Sequence, residues 1–296
     1  MSLCGLLGVS KQAYYKYDDH LMERLARESF VVEYIKEVRR SDPGIGGEKL
    51  WMMYRKRFGR EHSVGYNSFY DIIEKYDLKV RKRRRRARTT DSRHDLPLYQ
   101  DKVRSLIPSR PCQVWVSDIT YILLQLCDGD EVRFCYLSLV TDYYTKQIVG
   151  WSVGDTLETR YPLEALRMAL ESLGGTVPEG LIHHSDRGVQ YASYEYTGLL
   201  KSAGITISMT ESGDPKDNAV AERVNNTMKN ELLRDMRFTS TDEVRKAVGA
   251  AVRFYNEERP HLSLDGMTPA EAAQCTGEIR KRWHSFREKA LRDMVA

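Results

Sequence analysis

Three carboxylates stand where chemistry could be done. Asp118 lies inside VWVSDITYILL, a run rich in β-branched and aromatic residues that reads as a strand, with Val116 and Thr120 on its side of the pleat. An acid in a central strand is costly unless something pairs with it. Asp186 follows the short strand LIHHS and precedes Gly188, so it sits at a strand's C-terminal end. Glu222 falls on a helix predicted over 217–236. Brought together, three carboxylates repel one another and take up protons unless a cation joins them. All-oxygen donors favour Mg²⁺ or Mn²⁺ over zinc, and two such ions can clamp the attacking and leaving oxygens of a phosphoryl transfer. Lys229 comes seven positions after Glu222, two turns of an ideal helix, so one face could serve a metal and a phosphate. Taken alone, that face, with Asn226, reads first as a routine solvated helix surface, and only the combination with the other two acids points to chemistry. It lies away from the apolar stripe Val220, Val224, Met228 and Leu232, which should pack on a sheet.

The elements that must position these groups follow from periodicity. Strands are predicted at 114–124, 132–142, 147–153, 181–185 and 205–210, with Asp128-Gly129 as a hairpin signal between the first two. Helical spacing appears at 161–173, 191–203 and 217–236. Three strands, then helices alternating with two more, predict an α/β fold: a mixed five-stranded sheet with flanking helices, in ribonuclease-H-like order. In that order the first and fourth strands adjoin, Asp118 and Asp186 become neighbours, and the last helix can bring in Glu222.

The first 80 residues read as all-helical. Ser10 can cap a helix from Lys11, and a second helix spans about 22–40 before the Pro43-Gly44 break. Gly47 to Phe58 forms a third, and after Gly59, Ser63 can cap a fourth carrying Phe69, Ile72 and Ile73. Short helices with tight breaks fit a helix-turn-helix region, or a plain bundle used for dimerisation.

Charge separates these regions. The 296 residues carry 46 basic and 42 acidic side chains, a net of +4, yet 81–93 alone (RKRRRRARTTDSR) holds eight basic residues and one acid. Arg83, Arg84, Arg85, Arg86 and Arg88 could bind phosphates with strong salt dependence, or simply keep a linker extended. Pro97, Pro108 and Pro111 continue the linker texture. The predicted organisation is therefore a helical, helix-turn-helix DNA-binding region at 1–80, a basic linker at 81–111, a catalytic core at 112–236 and a C-terminal helical extension at 237–296. No apolar run approaches the ~18 residues of a membrane span, and the N-terminal stretch lacks a basic leader, so a cytoplasmic protein is expected. Five scattered cysteines without a C-x-x-C argue against a disulfide framework or a zinc site.

Several long motifs in one order resemble the OrfB-type transposases of the IS-three family of bacterial insertion sequences, over nearly the whole chain. They are LCGLLGVSKQAYYKY, WVSDITYI, LVTDYYTKQIVGW, HHSDRGVQYAS, DPKDNAVAERVNNTMKNE and YNEERPHLSLDGMTPAE. The resemblance implies a retroviral-integrase-like (DDE) core with Asp118, Asp186 and Glu222 as catalytic metal ligands and Lys229 as the accompanying basic residue. It implies two Mg²⁺ ions, with Mn²⁺ as substitute, and double-stranded DNA as substrate, both terminal inverted repeats and target. It further implies copy-out through a circular intermediate, a homo-oligomer, no membrane, and an upstream OrfA protein as partner or frameshift fusion. His184 matches the family motif and is expected to orient its loop; Asp142 is expected in a turn, and Asp217 as a helix cap. Tyr255, Asn256, Arg259 and His261 suit DNA contact and locking of the C-terminal segment equally well. Two rivals stand beside this reading: a nuclease that cuts without joining, and a DNA-binding repressor that needs none of the acids.

Overall fold

The computed structural model describes residues 10–80, 96–125, 132–211 and 218–280. Among them, residues up to 40 and from 45 to 80 form one compact unit, and 41–44 with all those beyond 95 form another.

The first unit is helical. Helix α1 runs unbroken from Lys11 to Ser41, where two helices were expected, because nothing between these residues is Gly or Pro. Ser10 caps it, its Oγ accepting from the Ala13 amide at 3.1 Å. Helix α2 (Gly47–His62) breaks its helical geometry at Gly59, whose φ of +74° suits glycine. Helix α3 (Tyr66–Lys75) starts from Gly65; Ser63 instead turns its hydroxyl back to Gly59 O. The core joins Val31, Ile35 and Val38 of α1 to Leu50 and Tyr54 of α2 and Phe69, Ile72 and Ile73 of α3. Glu28 of α1 accepts from Lys75 Nζ (2.6 Å) and Tyr76 Oη (2.9 Å), closing the helix set.

The second unit is built on strands β1 (Val114–Gln125), β2 (Val132–Asp142), β3 (Ile148–Gly154), β4 (Ile182–Ser185) and β5 (Thr206–Met209). Their order across the sheet is β3-β2-β1-β4-β5. The first three pair antiparallel and the last two join in parallel, giving the predicted mixed sheet. The Asp128-Gly129 signal lies outside the described residues. Helix α4 (Arg160–Glu171) lies directly on β3: a Cβ at Gly150 would come within 2.0 Å of Ala165 O, so only glycine allows this approach. Short helices α5 (Val189–Ala192) and α6 (Tyr194–Ser202) follow β4 and bury Tyr191 and Tyr196 against Trp115, Leu166, Leu200 and Met209.

Helix α7 (Ala219–Thr227) is shorter than the predicted 217–236. It passes into a π turn, Met228–Leu232, that carries Lys229. Val224, Met228 and Leu232 are buried, as the apolar stripe requires. Asp217 lies outside the described residues. The C-terminal helix α8 (Thr241–Glu257) packs within the same unit, burying Val244, Val248, Ala251 and Val252. Residues 96–111 also lean on the sheet: Val103 packs with Val114, Val116 and Ala221, and Lys102 N donates to Ser208 Oγ.

Candidate active site

The parallel pairing of β1 with β4 sets the site. Val114, Trp115 and Val116 pair with Ile182, His183 and His184. Two residues beyond the last of these pairs come Asp118, still in β1, and Asp186, just past the end of β4, so the pairing brings the two acids close together. Asp118 Oδ1 accepts from its neighbour's amide, Ile119 N, at 2.9 Å, and Oδ2 accepts from Asn225 Nδ2 at 2.8 Å. Asp186 Oδ1 accepts from Gly188 N at 3.0 Å, and a Cβ on Gly188 would press within 3.0 Å of that oxygen. Helix α7 is tied to the same strand: Asn218, just before it, donates to Ser117 O at 2.9 Å, and Asn225 reaches Asp118. Glu222 lies between these two anchors, in the first turn, and is exposed.

The electrostatics follow from burial. Loss of hydration, then the charge of Asp186, pushes the Asp118 carboxyl up to about 7; Asn225 and the Ile119 amide pull it down, and Glu222 adds a smaller upward push. Burial also raises Asp186, against the Gly188 N–H. These are oxygen donors that disfavour their own ionisation, and a hard divalent cation would reverse both causes. Among the described residues, no three His, Cys, Asp or Glu side chains are already drawn together as a metal cluster.

Lys229 Nζ lies 3.4 Å from the centre of the Tyr121 ring on β1, and partial burial lowers its pKa. Arg83, Arg84, Arg85, Arg86 and Arg88 lie outside the described residues. Asp142 ends β2 and holds the turn that follows it, accepting from Cys112 N (2.7 Å) and Thr145 N (2.8 Å). His184 Nδ1 lies 2.9 Å from Ser208 Oγ, tying β4 to β5. The four C-terminal residues face inward. Asn256 exchanges two hydrogen bonds with the backbone of Ile148, where the β2–β3 register shifts. Tyr255 is buried edge-on to His261, and Arg259 is held by Glu231, Asp42 and His261. This geometry is that of a lock on the C-terminal segment.

Sequence reasoning missed Asn218, Asn225 and Ser117. The signal was present for Asn225: asparagine is a weak helix former, so a mid-helix Asn three residues after Glu222 needs a bonding partner to justify it.

Family models described as "Integrase core domain" match residues 108–215 and 203–269. Asp118 and Asp186 fall in the first match, Glu222 and Lys229 in the second. An IS600 protein of Shigella sonnei is 32% identical over 288 residues, covering 96% of this chain and 99% of its own. The transposase of IS629, also from Shigella sonnei, is 31% identical, covering 92% and 90%. The chain belongs to the insertion-sequence transposases, of IS3 type. Transposase InsF of IS3A from Escherichia coli K12 extends the similarity, at 29% identity over 91% of this chain and 92% of its own. Like these transposases, the chain acts in the DNA transposition and integration of an insertion element, as a polynucleotidyl transferase with an integrase-type core. Among solved structures, the catalytic core of HTLV-2 integrase in complex with magnesium aligns with a TM-score of 0.43 at 20% identity, covering 56% of this chain and 98% of that one.

Proposed function

We propose that Asp118, Asp186 and Glu222 are the catalytic carboxylates of a DDE-type transposase that cuts DNA at the element's ends and joins those ends to a target. The observation that carries this reading is the β1–β4 register, which sets Asp118 beside Asp186 while Asn218 and Asn225 anchor the Glu222 helix to the same strand. The three acids would hold two Mg²⁺ ions, or Mn²⁺ in their place. When bound, the ions supply charge neutralisation at the phosphate and a lowered pKa for the attacking hydroxyl.

In the first step, water attacks a phosphodiester at the element's end, the P–O3′ bond breaks, and a 3′-hydroxyl is left. That hydroxyl then attacks a target phosphodiester, forming a new P–O3′ bond and releasing the target's own 3′-oxygen. No protein–DNA covalent bond forms. Asn225 orients the Asp118 carboxylate, and the Gly188 amide orients that of Asp186. Lys229 and the arginines of 81–88 would hold the phosphate backbone.

The domain reading fits this division of labour: the helical region 1–80 grips the terminal repeats, 81–111 links it, 112–236 does the chemistry and 237–296 braces the core. Joining two ends to one target calls for a homo-oligomer, with the OrfA protein as partner or fusion. The test is incubation with labelled DNA ending in the element's inverted repeat, with Mg²⁺ or EDTA. Joined products should appear only with Mg²⁺ and vanish in Glu222→Gln while DNA binding persists. Joining retained by that variant sinks the assignment.

A further inference from the structure

His183 sits at the centre of the sheet with no exposure, one strand away from Ser117 and three residues before Asp186. Its Nε2 lies 2.8 Å from Ser117 Oγ and 2.9 Å from Tyr196 Oη. Ser117 directly precedes Asp118, and its carbonyl accepts the Asn218 bond that ties down the Glu222 helix. One imidazole nitrogen thus gathers β1, β4 and α6 at the base of the acidic pair. We propose that His183 is a positioning residue for Asp118 and Asp186: it fixes the spacing of β1 against β4 through Ser117 and Tyr196, so that both carboxylates are held ready for a divalent cation. This rests on the metal-binding reading above.

The need for such a clasp is physical. Two carboxylates deprived of water push their strands apart until a cation arrives, and only three residue pairs of β1–β4 ladder oppose them. A side-chain bond across those strands, packed against Tyr191 and Tyr196, resists that separation where a Val or Leu would give only dispersion contact. Nε2 meets these hydroxyls as acceptor or as donor according to the tautomer, and in either form the clasp uses a neutral ring. Complete burial keeps it so, holding the imidazole down at about 3.

The experiment measures Mn²⁺ affinity of DNA-free protein by electron paramagnetic resonance, alongside the Mg²⁺ midpoint for joining and a thermal melt. His183→Leu should weaken Mn²⁺ binding about 10-fold or more and raise the Mg²⁺ midpoint in step, with joining largely restored at saturating Mg²⁺. His183→Gln, which keeps a hydrogen-bonding group, should fall between it and the parent. If His183→Leu does not fold, Ser117→Ala and Tyr196→Phe each delete one bond at nearly constant volume, and each should shift both midpoints about threefold in the same direction. Unchanged midpoints in a folded His183→Leu, or in both single-bond variants, overturn the clasp. Asp118→Asn and Asp186→Asn separate the two ideas. If they bind Mn²⁺ like the parent, the metal reading itself fails; if they lose it while the clasp variants do not, only the role of His183 falls.

Discussion

Two acidic clusters in the same unit are built in opposite ways. Asp42 and Glu231 close on Arg259: its Nη2 is 2.8 Å from Glu231 Oε1 and its Nε 3.6 Å from Asp42 Oδ2, with Arg259 only 4% and Asp42 0% exposed. Asp118 in β1 and Asp186 just past the end of β4 stand near each other, and the charges that act most on Asp118 are acidic, those of Asp186 and then Glu222. Where the protein supplies its own guanidinium, the acids are cement. Where it supplies amide donors and further acids, the neutralising charge is left to come from outside. The same residue type is thus neutralised within the fold in one place and held protonation-prone in the other because of what faces it.

The sharpest break of this comparison is chemical. Asp186→Asn should cut joining by at least about 10³-fold at saturating Mg²⁺, read from product yield, because on the function proposed above it removes a ligand and half of the like-charge pair. Replacing the internal cation should instead strike the fold. Arg259→Met takes the guanidinium away from buried Asp42 and half-buried Glu231 and should cost about 3–5 kcal/mol in urea unfolding, while a catalytic effect appears only as lost folded protein.

The third test has the opposite sign. Asp118 has a folded pKa raised above that of an unfolded aspartate, so the fold favours its protonated form and loses stability as pH rises through about 7. At pH 8 in EDTA, Asp118→Asn should therefore be more stable than the parent, by about 1–3 kcal/mol, while inactive. A melt showing it less stable would break the comparison.

The smallest effect concerns His183. Its folded pKa is depressed, so the stability it contributes is present above the unfolded value near 6.5 and drains away as pH falls towards about 3. From pH 7 to pH 5.5 the parent should lose about 1 kcal/mol more than His183→Gln. Equal slopes in paired melts would show that the ring is hydrated.

Much of this was legible in the sequence, and the exceptions share a cause. Asp118 and Asp186 could be placed together because strand ends, a Gly two residues after the acid and the order of elements are local signals that add up to a topology. The single long α1 was hidden by polar Asp18, Asp19 and His20, which interrupt the apolar pattern but not the backbone, since no Gly or Pro stops it. The π turn after Thr227 leaves no compositional mark. Arg259 could not be assigned to DNA or to a lock, because its partner Asp42 lies far earlier in the chain. Asn218 and Asn225 look like solvated amides until the strand beside them is known.

The π turn at Met228–Leu232 has a further consequence. A π turn is what an α-helix becomes when it takes in one extra residue. Removing one residue there would regularise the helix and swing everything after it by about 100°. Glu231 would turn away from Arg259, while Glu222, upstream, would keep its place beside β1. The helix is therefore jointed: the turns before the joint are tied to β1 through Asn218 and Asn225, and Glu231 beyond it is tied to Arg259.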